Sequence, residues 1–394
     1  MTTTDPTAAG AAVRPPGARW RDRKRYLWVA GLLVPLLPFA AHAWVERTGW
    51  NALWWAGPIW ILVLMPTLDT LFGTDASNPP EWAVPDLERD RWYRWITWLY
   101  LPLQYLGFFW AASVIAAGNL SPLSELGLSL TVGVVAGVGI NTAHELGHKR
   151  DRLERRLSKL ALAQSAYGHF YVEHNRGHHA NVSTPQDPAS ARFGESFWRF
   201  LPRTVAGSLR SAWALAAAAQ RRKGRPVWSW RNDVLNAWAL TVVLYGAAVA
   251  LYGVRVVPFI VIQAVFGFSL LEVVNYIEHY GLLRRTLASG RYERCRPEHS
   301  WNSNNVVSNL LLYHLERHSD HHANPTRRYQ ALRHFDEAPE LPSGYALMMG
   351  LAWVPPLWRR VMDRRVLAHY GGDVTRANLD PRRRARILAR YSGH

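Results

Sequence analysis

Residues 125–150 read ELGLSLTVGVVAGVGINTAHELGHKR. From Leu126 to Ala143 the run carries no charge and is nearly long enough to cross a bilayer. A soluble helix would interrupt it with a polar face every turn. Directly behind it stand His144 and His148, four residues apart and therefore on one face of a helix. Outward from 125–143, five further apolar runs occupy 26–45, 50–72, 95–117, 234–254 and 256–278. The pattern predicts an all-α polytopic membrane protein with six transmembrane helices and a histidine-rich region outside them. Asp69, near the end of the second run, is costly in hydrocarbon and is expected at the interface or beside a partner.

The 394 residues include 20 Trp, and 46 Lys and Arg stand against 29 Asp and Glu, a formal net charge of +17. That excess suits nucleic acid, acidic proteins or anionic lipid. The clustering of apolar residues decides for membrane lipid and against nucleic acid. With six spans, every Lys and Arg except Arg47 and Arg255 falls on one side, which the positive-inside bias makes cytoplasmic, together with both termini. A signal peptide would place its basic residues first and a cleavage site after a short apolar core. The first run here has full spanning length and reads as a retained anchor. The expected organisation is a disordered basic tail over 1–25, four spans over 26–143 and a cytoplasmic histidine segment over 144–233. Two further spans occupy 234–278, and a second histidine segment with a basic C-terminal tail covers 279–394. Residues 153–171 are expected to lie on the membrane as a helix, and 345–358, with Pro355 and Pro356, to dock at the interface.

A single cysteine, Cys295, excludes an intramolecular disulfide and any thiolate-built zinc or iron–sulfur site. The histidines cluster instead: His144 and His148; His174, His178 and His179; His279 at the end of the sixth span; and His318, His321 and His322. All nine follow an even number of spans and so emerge on one membrane face. One such residue would read as an ordinary core histidine. Nine would repel one another if protonated, whereas neutral imidazole is a good ligand for first-row metals, and nine are too many for one ion. Two five- or six-coordinate ions would use them. A carboxylate-bridged di-iron bundle needs two Glu-x-x-His pairs, and the clusters hold one, Glu145 to His148. The sequence HELGH also matches the zinc-protease pattern with Glu145 as general base, but that leaves seven clustered histidines unexplained. Glu145, Glu173, Asp187, Glu278, Glu316 and Asp320 are candidate acceptors for the outer imidazole N–H groups. His169, His299, His314 and His334 lack paired spacing, and His42, His369 and His394 have no part.

The order HELGHKR, EHNRGHH, NYIEHYGL and RHSDHHANPTRRYQ, with SNPPE at 77–81 and HSWNSNNVVSNLLLYH at 299–314, resembles the integral-membrane alkane 1-monooxygenases of the histidine-rich di-iron superfamily. The resemblance runs from about Arg25 to Asp373. It implies terminal hydroxylation of medium- and long-chain n-alkanes to 1-alkanols by O2 at two non-haem iron ions, in a bacterial-type inner membrane. It also implies that the nine histidines are the ligands and that rubredoxin, with its reductase, is the electron donor. The alternatives are a related membrane di-iron hydroxylase or desaturase and, from another class, the zinc protease. A bundle of spans would offer an apolar tunnel, with Ile61 and Val138 as candidate lining residues. Arg327, Arg328 and Arg333, just after the last cluster, are expected to help dock the acidic donor.

Overall fold

Six helices are long and apolar enough to cross a bilayer: α1 (Leu27–Thr48), α2 (Asn51–Phe72), α3 (Arg91–Ala117), α4 (Pro122–Gly147), α8 (Asp233–Tyr252) and α9 (Val254–His279). The structure, a computed structural model, describes residues 14–391. The first half of the basic tail and His394 lie outside the described residues. No β-strand occurs among the described residues, only four isolated bridges.

The starts of these helices are written locally. Asp90 accepts from the Trp92 N–H ahead of α3, and Asn232 accepts from the Val234 N–H ahead of α8. Ser121 accepts from the Ser124 N–H, with Pro122 in the first turn of α4. Helix α4 is the axis of the bundle and is buried almost throughout. Its glycines permit close approach, as in other membrane interfaces. A Cβ on Gly133 would meet Phe266 and the Gln263 carbonyl of α9 at 3.0–3.1 Å, and one on Gly139 would meet Gln104 of α3 at 2.6 Å. Asp69 finds a partner: it accepts from the Ser308 N–H at 2.9 Å and from the Ser308 hydroxyl.

Between α4 and α8 the chain does not simply lie on the membrane. Helix α5 (Arg152–Ala163), capped by Asp151, drives its C-terminal end into the bundle, where Ala161, Leu162, Gln164 and Ser165 are buried. The carbonyls a helix end leaves unpaired are met by side chains from three spans. Tyr105 donates to Leu160 O at 2.6 Å and Gln104 to Ala161 O at 3.1 Å. Thr241 donates to Ala163 O at 3.1 Å, and Tyr245 and Gln263 donate to Gln164 O at 2.6 and 2.8 Å. Backbone at membrane depth is tolerated where protein satisfies it, as here. The expected surface helix over 153–171 is therefore a re-entrant one.

The chain returns through α6 (170–181), which contains a π-turn over His174–His178, and then α7 (Phe197–Arg222). After α9 come α10 (Val306–Leu311), α11 (His318–Ala323), α12 (Tyr345–Ala352), α13 (Pro355–His369) and α14 (Arg384–Tyr391). Residues 345–358 differ from expectation in part. Tyr345, Ala346, Met348 and Met349 are buried in the main core, while Leu347, Val354 and Leu357 face outward.

Candidate metal centre and cavity

The histidine clusters end a helix, widen one or form a short one of their own, and their imidazoles converge. His144 and His148 close the last turn of α4, and His279 closes α9. In α6 the His179 N–H bonds to His174 O, an i→i+5 step, where an ordinary helix would carry His179 well round the axis from His174. The widened turn instead sets their Nε2 atoms 3.2 Å apart. Helix α11 supplies His318, His321 and His322.

The nine rings form two groups. His144, His148, His174 and His321 offer nitrogens that all lie within 4.8 Å of one another, and so do His178, His279, His318 and His322. His179 joins the first group, its Nε2 lying 3.1 Å from His321 Nε2. His144 and His321 Nε2 are 2.9 Å apart, as are His318 and His322 Nε2. Two imidazoles side by side on one first-row ion, bound at about 2.1 Å, put their nitrogens about 3 Å apart. Nε2 of His148, His178 and His279 is buried with no partner among the described residues, which a metal bond would satisfy. Burial, reinforced by neighbouring imidazoles, holds His148, His174, His179, His318, His321 and His322 well below the usual histidine range, so they are neutral ligands in waiting. The donor set fits two metal ions.

Of the six carboxylates, two touch these rings. Asp187 lies 2.9 Å from His178 Nδ1 and also accepts from Ser190 Oγ, and Glu278 lies 3.2 Å from His318 Nδ1 and accepts from Tyr345 Oη. The other four look elsewhere. Glu145 pairs with buried Lys149 at 2.9 Å and accepts from the Tyr329 N–H. Asp320 is taken by Arg327, and Glu316 by the Tyr345 N–H and Asn309. Burial, with the Asp69 carboxylate nearby, pushes Glu316 up to about 8. Glu173 packs behind the π-turn against Gly177, and burial pushes it up to about 7. Sequence reasoning missed a third outer partner, the carbonyl of His299, 3.4 Å from His279 Nδ1. A backbone acceptor leaves no trace in residue identity. His314 bonds Tyr329 O, and His334 bonds Asn304.

A narrow apolar concavity of about 50 Å³ ends on this cluster. Ile61 and Val138 both line it, with Phe170, Leu270, Val274 and Met349, and His144, His174 and His318 form its polar end with Asn141, Asn275 and Glu278. Ile61 sits in a π-turn of α2 (Trp60–Leu64).

The fatty acid desaturase family model matches residues 120–352, the part that contains all nine histidines. An alkane 1-monooxygenase of Acinetobacter baylyi is 47% identical over 373 residues, covering 94% of this chain and 91% of the relative. Another, of Alcanivorax borkumensis, is 46% identical over 91% and 89% of the two chains. The chain belongs to the alkane 1-monooxygenase family. The hydroxylase component of a xylene/toluene monooxygenase from Pseudomonas putida is a more distant relative, 28% identical over 60% of this chain.

Within that family setting, Glu145 has no place as a protease base. Its carboxylate turns from the imidazoles towards Lys149, and among the described residues no carboxylate joins His144 and His148 in a metal-ligand group. Glu145→Gln should leave metal content and turnover near wild type, because no ring is oriented by it. It should cost about 3 kcal/mol of stability by leaving Lys149 buried and unpaired. Loss of all activity with normal folding would return Glu145 to the chemistry.

Arg327, Arg328 and Arg333 are corrected as docking residues. They form ion pairs with Asp320, Glu154 and Glu81, and their side chains are only 18%, 15% and 17% exposed. Their charge is spent holding 327–333 against the rest of the protein.

Proposed function

We propose that this chain converts medium- and long-chain n-alkanes to 1-alkanols with O2, two protons and two electrons, releasing water, at two iron ions held by the nine histidines. The observation that carries the reading is an apolar concavity whose polar end holds three imidazoles of the cluster, those of His144, His174 and His318. Iron there would supply an oxidant strong enough for an unactivated methyl group, which no side chain provides. The chain's own residues do the rest. The five-histidine group (His144, His148, His174, His179, His321) and the four-histidine group (His178, His279, His318, His322) would each hold one ion. Asp187 and the His299 carbonyl fix ring orientation, with the Glu278 carboxylate close to His318. Ile61 and Val138 shape the channel in which a linear chain extends with its terminal carbon at the imidazole end. A related desaturase would share this centre, so the deciding experiment supplies both substrates. Purified protein given octane, an acyl substrate, O2 and rubredoxin kept reduced by its reductase with a supplied chemical reductant should form 1-octanol and leave acyl chains saturated. Desaturated acyl product without alkanol would replace this reading.

One cysteine cannot build a cluster within these 394 residues, so the electrons reach the metal centre from outside them. Rubredoxin, with its reductase, is the proposed donor, acting at the cytoplasmic face of a bacterial-type inner membrane with both termini on that side. Among the proposed ligands, His148 and His179 are the two not fully buried, and Arg150, two residues after His148, is exposed and in no ion pair among the described residues. Steering between exposed charges is screened over about 8 Å at physiological salt. The rubredoxin concentration giving half-maximal turnover should therefore rise with salt. Arg150→Glu should raise it at low salt with iron content unchanged, and salt-independent curves would remove charge from the docking.

A further inference from the structure

A dense run of unspent positive charge lies at the end of α7. No acidic residue occurs between Glu195 and Asp233. Arg221, Arg222, Lys223 and Arg225 follow one another at the end of α7, all exposed and none in an ion pair among the described residues. Next to them, Trp228 and Trp230 are 77% and 78% exposed. The turn that carries them is built: Arg225 N–H donates to Gln220 O at 3.0 Å, Gln220 Nε2 to Arg231 O at 2.9 Å and Asn232 Nδ2 to Val227 O at 3.1 Å. Trp213 packs on Trp228 with ring centroids 5.0 Å apart, and the Arg231 guanidinium lies 5.4 Å from the Trp230 ring centre.

We propose that residues 221–231 form a binding site for the headgroups of anionic phospholipids, seated in the bilayer interface by Trp228 and Trp230. Two bare indoles facing water would be costly, whereas the headgroup region is where Trp resides best. The position fits. Asn232 caps α8, so the segment stands at the mouth of a membrane-crossing helix, on the end that carries the histidine clusters. Tyr26 before α1, and Leu71 and Phe72 at the end of α2, are exposed at the same ends of their spans. Several Lys and Arg directly beside a span are the pattern that attracts an anionic membrane surface, at about 1 kcal/mol each, or about fivefold in affinity per charge. An acidic soluble partner would answer the charge but not the paired indoles at this level. The site is also tied inward, since Ala212 and Ala216 of α7 pack with Val172 of α6 and Val234 of α8. The inference is independent of the hydroxylase reading.

Native mass spectrometry of the full chain in detergent, titrated with phosphatidylglycerol or phosphatidylcholine of identical acyl chains, tests it. Wild type should retain phosphatidylglycerol preferentially. R221Q/R222Q/K223Q/R225Q should lower that retention at least tenfold and leave phosphatidylcholine unchanged, while W228A/W230A should weaken both. The exposed pair R291Q/R294Q, elsewhere on the same side, should keep the preference. If the quadruple variant does not insert, R221Q/R222Q and K223Q/R225Q should each show a partial loss. No headgroup preference in wild type, or a preference untouched by these variants, overturns the proposal. Salt-sensitive rubredoxin binding lost in the quadruple variant with lipid preference intact would also overturn it, giving the patch to a soluble partner.

Discussion

His178→Ala and His321→Ala are each expected to abolish hydroxylation, by more than the 10–100-fold typical of losing an outer partner of a ligand. The two residues test different groups. His178 belongs to the four-histidine group and is fixed through Nδ1 by Asp187, whereas His321 sits at the centre of the other group, close to both His144 and His179. Each variant should insert normally and lose iron, about one ion per chain if the groups bind independently. His369→Ala is the control, because its ring lies against Tyr370 and Trp301 rather than the imidazole clusters. Iron content and 1-octanol formation in the three variants decide the matter, and full activity in either of the first two would strike that histidine from the ligands.

Ile61→Trp should change which alkanes are accepted more than any other substitution in the cavity wall. Ile61 is buried in the π-turn of α2 and lines the concavity with Val138, on a side packed against α4. A larger ring cannot turn out to lipid without breaking that packing, so it must take space from the channel. In a mixture of octane and hexadecane, the turnover ratio should move towards octane by at least tenfold, with iron content unchanged. Ile61→Ala should move it the other way. An unchanged ratio in both variants would place the substrate path elsewhere.

What could be read from the sequence was whatever depends on spacing along one element. The i, i+4 pair at His144 and His148, the tight groups at 174–179 and 318–322 and the six apolar runs all survive in three dimensions because a helix preserves local spacing. What could not be read depends on partners far apart in the chain. Glu145 looks like a companion of its flanking histidines, but Lys149 and the Tyr329 N–H, the latter 184 positions away, set its direction. Arg328 reads as free surface charge until Glu154, 174 positions earlier, is brought to it. The re-entrant end of α5 resembles an interfacial helix because Gln104, Tyr105, Thr241, Tyr245 and Gln263, which satisfy its carbonyls, are scattered over three spans. The partition of nine histidines into five and four likewise required the π-turn in α6, which no residue pattern announces.

Metal analysis of the purified, full-length protein tests the central claim most directly. Nine imidazoles in two convergent groups should yield about two iron ions per chain after expression in iron-sufficient medium, with zinc well below one. Chelation should remove the iron together with alkane hydroxylation, and both should return on adding ferrous iron. One tightly held zinc per chain, with no iron and no 1-octanol formed, would contradict the di-iron hydroxylase.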